Sequence, residues 1–67
     1  MPKKFRDVKR VLRAAGWSLD RVKGSHELWV HPDGRRVVIP AGGKDNREVP
    51  SGTLASIHRA TGLDDLR

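Results

Sequence analysis

A chain of 67 residues forms one domain, and a core of that size supplies no more than about 3–5 kcal/mol of net stability without staples. It has no cysteine, and its three histidines lack HxxxH spacing, so disulfides, thiolate metal sites and a structural zinc are all excluded from the expectation. Fourteen Lys and Arg against eight Asp and Glu leave a net charge of +6, which makes a polyanion, and nucleic acid first, the expected partner.

From the N-terminus, Phe5, Val8, Val11, Leu12 and Ala15 recur at three- and four-residue spacing and predict an amphipathic helix. Arg6, Lys9, Arg10 and Arg13 fall on the opposite side of that wheel and are expected to form a basic outer face for RNA phosphates. Gly16 is placed to end the helix. A first strand is predicted over 17–22, with Trp17 assigned to the core, and a second over 26–31 follows after a tight connection. Pro32-Asp33-Gly34 is a turn signal, and the β-branched run Arg36-Val37-Val38-Ile39 predicts a third strand.

Residues 41–49 are polar and glycine-rich and are expected to be a mobile surface loop. Pro50-Ser51-Gly52-Thr53 then opens a second helix, with Ser51 or Thr53 as its cap. Leu54, Ile57 and Thr61 mark its inner side, Gly62 its end, and Leu63 and Leu66 are left to pack. The expected fold is therefore α+β, in the order α-β-β-β-α. Its three-stranded antiparallel sheet carries both helices on one face, as in the double-stranded-RNA-binding fold.

No apolar run reaches the ~20 residues of a membrane span, and the N-terminus has no signal-like apolar region. A soluble cytoplasmic protein is expected, without membrane contact, cofactor or metal. The chemistry concentrates at Lys23-Gly24-Ser25-His26, which sets a cation, a hinge, a hydroxyl and a proton carrier side by side. RNA brings its own nucleophile, the 2′-hydroxyl. A nuclease then needs only a base, for which His26 serves, and cations for the phosphate, for which Lys23, Arg35 and Arg36 serve. Ser25 joins them as an RNA contact. His31, five positions along the strand, should face away from His26, and no side chain stands out as the general acid.

His26 also admits a structural reading, as a strand-start residue bonded to its turn. His31 reads as a turn residue and His58 as a half-buried helix residue, while Trp29 is open between the core and base stacking. Without catalysis, the same basic surface is that of an RNA-binding module, or of a partner for an acidic protein.

Taken together, Gly16-Trp17, Lys23-Gly24-Ser25-His26, His31-Pro32-Asp33-Gly34-Arg35-Arg36, Val38-Ile39-Pro40, Gly52-Thr53-Leu54, Ile57 and Ala60-Thr61-Gly62-Leu63 resemble the HicA toxin family. The resemblance implies a small endonuclease on a double-stranded-RNA-binding-like fold. Such an enzyme cuts mRNA and is neutralised by a HicB antitoxin, and its catalytic histidine maps onto His26. Two departures stand out: Glu27 follows the motif histidine, where a carboxylate is expected to sit beside the phosphate, and the stretch 42–47 is longer and more polar.

Overall fold

The structure, a computed structural model, describes residues 3–66. The apolar stripe of the N-terminal segment forms helix α1, Phe5–Ala14. Asp7 fixes its start, accepting the Lys4 backbone N–H on Oδ2 at 3.2 Å and placing a negative charge at the positive end of the helix. Its end is a Schellman closure around Gly16, at φ 94°, in which Trp17 N–H donates to the Leu12 carbonyl at 2.9 Å and Gly16 N–H to that of Arg13 at 3.1 Å.

Three strands follow, β1 (Ser18–Lys23), β2 (His26–Val30) and β3 (Arg36–Ile39), paired antiparallel in the order β1-β2-β3. The β1–β2 connection is the two-residue loop Gly24-Ser25. With Gly24 at φ 60° and no positive φ at Ser25, it has the signature of a type II′ turn. The β2–β3 turn closes through Gly34, at φ 97°, which donates to the His31 carbonyl at 2.9 Å. Trp17 lies just before β1 rather than inside it, and it is buried as expected. In β1 the register slips between Leu19 and Arg21, and the whole strand stays exposed, including Leu19 and Val22.

Glu27 and Trp29 of β2 and Val37 and Ile39 of β3 turn inward by the two-residue alternation of strands. Helix α2, Ser51–Thr61, joins α1 over this inner face. Phe5, Val8, Leu12, Trp29, Ile39, Ile57 and Leu66 form the heart of the shared core. Trp29 is thus a core residue, not an exposed stacking platform. The order α-β-β-β-α is the expected one, and no described helix is long and apolar enough to cross a membrane.

Two expectations are corrected. Neither Ser51 nor Thr53 caps α2: Pro50 holds the N-cap position, and no side chain accepts there, whereas Gly62 closes the helix at φ 70° as expected. The stretch 41–49 is also no loose loop. Ala41 and Val49 are core residues, and the segment is stitched to the start of α1 by Phe5 N–H to Arg47 O and Arg6 N–H to Asp45 O, both 3.0 Å.

Candidate functional site

The type II′ turn makes Lys23 and His26 direct cross-strand partners, so their side chains leave the sheet on the same side, with Cβ atoms ~5 Å apart. Because Glu27 faces inward, this is the open side of the sheet. The imidazole of His26 makes no hydrogen bond or ion pair with any described residue. Instead it lines a groove of about 450 Å³ that runs along β3 beside α2, with Arg36, Val38 and Pro40 on the strand side and Thr53, Ser56, Ile57 and Ala60 on the helix side. Among the described residues, no acidic side chain lines this groove. Arg36 lies four strand positions from the His26 level, roughly 13 Å away.

The turn below His26 is held from behind. Gly42, at φ 52°, lies so close that a Cβ there would meet Ser25 Cβ at 2.9 Å. The same segment carries Asp45, which accepts from Lys9 Nζ at 2.6 Å, while a second bond from Lys9 reaches Glu27 Oε2 at 2.8 Å. The other oxygen of Glu27 accepts from Trp29 Nε1 at 3.1 Å. Lys9 therefore ties α1, β2 and the 41–49 segment together at one buried point. Burial lowers its pKa, and hydrogen bonds to Asp45 and Glu27 with their charges raise it, leaving the ammonium above its ordinary value of 10.5.

These contacts revise the cationic surface read from the sequence. Lys9, expected on the outer face of the first helix, is only 7% exposed and committed to two carboxylates, so it is withdrawn as an RNA contact. Nor does Glu27 sit beside the phosphate; it points into the core, away from His26. Arg35 is engaged as well, donating to Asp33 Oδ2 at 2.7 Å and the Thr61 carbonyl at 2.8 Å and lying 5.2 Å from the Trp17 ring. Arg6 bonds Asn46, Arg10 pairs loosely with Asp7, and Arg13 sits 5.0 Å over Trp29. These α1 cations belong to the helix layer, whereas His26 belongs to the sheet face. Of the expected site residues, the fold brings Lys23, Ser25 and His26 together, with Arg36 along the same groove.

His31 is a turn residue, as expected. Its Nε2 donates to the Ala15 carbonyl at 3.1 Å, and its Nδ1 lies 3.2 Å from the Asp33 backbone N and 3.0 Å from Asp33 Oδ1. His58 is half-buried on α2. Sequence reading missed Thr53, Ser56 and Ala60 as groove residues, although their i, i+3, i+7 spacing marks one stripe of the helix.

With this geometry in hand, comparison with known families gives one decisive match, to the HicA toxin of bacterial toxin–antitoxin systems, over residues 5–63. The chain belongs to the HicA toxin family. No curated protein matches it. The HicA match spans α1 through α2 and takes in the Gly24-Ser25-His26 turn and every groove residue.

Proposed function

We propose that this HicA-family chain is a metal-independent RNA endonuclease that cleaves mRNA and is held inactive by a cognate HicB-like antitoxin. The observation that carries the reading is the imidazole of His26, bonded to no described residue, paired across the hairpin with Lys23 and opening into a groove whose described lining has no acidic side chain.

In this mechanism His26 takes the proton of the 2′-hydroxyl, and the 2′ oxygen attacks the adjacent phosphorus. The bond from phosphorus to the 5′ oxygen breaks, and that oxygen takes a proton from Lys23 or water. Lys23 stands nearest to offset the charge of the pentacoordinate phosphate, while Arg36 holds a phosphate farther along the strand. Gly24 and Ser25 set the hairpin geometry that presents the imidazole, and the Ser25 hydroxyl is available to the RNA.

The test is His26→Ala, assayed for both cleavage and binding of an mRNA fragment. Cleavage should fall ~10²-fold or more, because the proton acceptor is gone. Binding and melting temperature should hardly move, since the ring has no partner among the described residues. A variant that keeps its cleavage rate contradicts the role of His26. One that loses cleavage only in proportion to its folded fraction assigns the ring a structural role, and a chain that binds RNA without cutting it is a binding module.

A further inference from the structure

The two edges of the sheet are not equivalent. On β1 a bulge at Asp20 and the charged Arg21 and Lys23 blunt the outer edge, the usual protection against unwanted strand pairing. The β3 edge is regular, and its hydrogen-bond phase follows from the register. His31 N–H donates to the Arg35 carbonyl at 2.9 Å, which makes that pair a hydrogen-bonded one. Alternation along an antiparallel ladder then makes Trp29–Val37 and Glu27–Ile39 hydrogen-bonded pairs, and Val30–Arg36 and Leu28–Val38 non-hydrogen-bonded ones. The N–H and C=O of Arg36 and Val38 therefore point away from β2, into the groove beside α2. Pro40 ends this free edge, having no N–H to offer.

On the opposite wall of the groove α2 presents the smaller Thr53, Ser56 and Ala60 beside Ile57. Val38 is 51% exposed on the sheet side. Arg36 lines the groove, and Ser56 on its helix wall accepts from Arg59 Nη2 at 3.2 Å. A strand edge beside a helix, with room between them, is the geometry by which extended peptides are captured through main-chain hydrogen bonds.

We infer that the antitoxin inserts an extended acidic segment into this groove as a fourth strand on β3, crossing the mouth of the His26 site. The inference rests on the toxin reading above and adds how the partner is held. The occupant is a polypeptide because the edge alternates main-chain donors and acceptors, and a strand pairs with both; an RNA phosphate on the Arg36 side chain leaves the Arg36 and Val38 carbonyls unpaired. It is acidic because the described lining of the groove carries Arg36 and His26 and no carboxylate, on a chain of net charge +6. A second copy of this chain fits poorly, since pairing along β3 brings together two molecules of net charge +6.

The experiment is residue-resolved amide exchange on the full chain, free and in complex with its co-expressed antitoxin. The Arg36 and Val38 amides should exchange readily in the free chain and slow by roughly tenfold or more in the complex, the factor that a typical hydrogen bond supplies. The Val37 and Ile39 amides, already bonded to β2, should change far less. Val38→Pro removes an edge N–H outside the β2 ladder, so the chain should stay folded while antitoxin affinity drops by about tenfold or more. Val38→Thr keeps the N–H and should keep the affinity.

Antitoxin binding that leaves both amides exchanging at the free rate overturns strand addition but leaves the toxin–antitoxin reading standing; absence of any complex overturns both. Protection of the two amides by a single-stranded RNA but not by the antitoxin assigns the groove to substrate. Their protection by dimerisation of the free chain assigns it to a second copy. Either result overturns the proposal.

Discussion

Replacing Lys9 by methionine tests whether one buried ion pair holds the candidate site in place. Lys9 Nζ lies 2.8 Å from Glu27 Oε2 and 2.6 Å from Asp45 Oδ1, and the side chains of Lys9 and Glu27 are each only 9% exposed. The two bonds are unequal in worth. Asp45 is 53% exposed and can return to water, so that contact resembles a surface pair of at most about 1 kcal/mol. Glu27 cannot: without Lys9 its carboxylate stays buried with only the Trp29 Nε1–H as donor, a situation that costs about 3–5 kcal/mol. That equals the whole net stability available to a domain of this size. Lys9→Met should therefore melt at least ~12 °C lower, at about 4–8 °C per kcal/mol, or fail to fold. Lys9→Met combined with Glu27→Gln removes the stranded charge and keeps an acceptor for Trp29, so it should recover most of the loss. Thermal and urea unfolding of the two variants decide the matter. A Lys9→Met chain with the wild-type melting temperature would show that Lys9 is an ordinary solvated helix cation.

Further consequences are open to measurement. The raised pKa of Lys9 means that its contribution is fully present below 10.5, the unfolded value, and is lost as pH rises through the folded value, so unfolding should set in above pH 10.5 in wild type and lose that dependence in the double variant. Asp33 has the opposite sign: the Arg35 backbone N–H, with the Arg35 guanidinium, lowers its pKa below 3.8, so its stabilising effect is present above that value and fades as pH falls through the folded one, a dependence that Asp33→Asn should remove in acid titrations of stability. Gly42→Ala forces a Cβ to 2.9 Å from Ser25 at a positive φ, and it should cost about 1–3 kcal/mol in urea unfolding and shift the NMR signals of the His26 ring. Arg36→Ala should weaken RNA binding and reduce the salt slope by about 0.7, the share of one single-strand phosphate, whereas Arg35→Ala should first lower the melting temperature, because Arg35 braces Thr61 and Asp33. Equal salt slopes for wild type and Arg36→Ala would remove Arg36 from the RNA path.

The element order was legible because each signal is local: an apolar stripe at helical spacing, glycines where the chain needs positive φ, and a β-branched run for β3. The face of Glu27 was misread: it was expected beside the phosphate, although the strand alternation that buries Trp29 turns it inward, away from His26. Lys9 was not legible. It stands four residues after the core residue Phe5, at the margin of the apolar stripe, and only the carboxylates of Glu27 and Asp45, 18 and 36 residues away in sequence, decide that it turns inward. Arg35 and Arg36 are neighbours with the same charge, yet the turn geometry gives one to Asp33 and Thr61 and the other to the groove. The 41–49 segment looked mobile because its composition is polar, but its order comes from backbone bonds to α1, which composition does not report.

The central claim, that His26 activates the sugar hydroxyl of RNA, meets its most direct test in the chemistry of the cut ends. A purified chain incubated with an mRNA fragment in chelator should leave a 2′,3′-cyclic phosphate on the upstream product, and a substrate carrying a single 2′-deoxy sugar at the cut site should resist cleavage there. Cleavage of the deoxy substrate at the normal rate, or upstream products ending in a free 3′-hydroxyl, would contradict the mechanism.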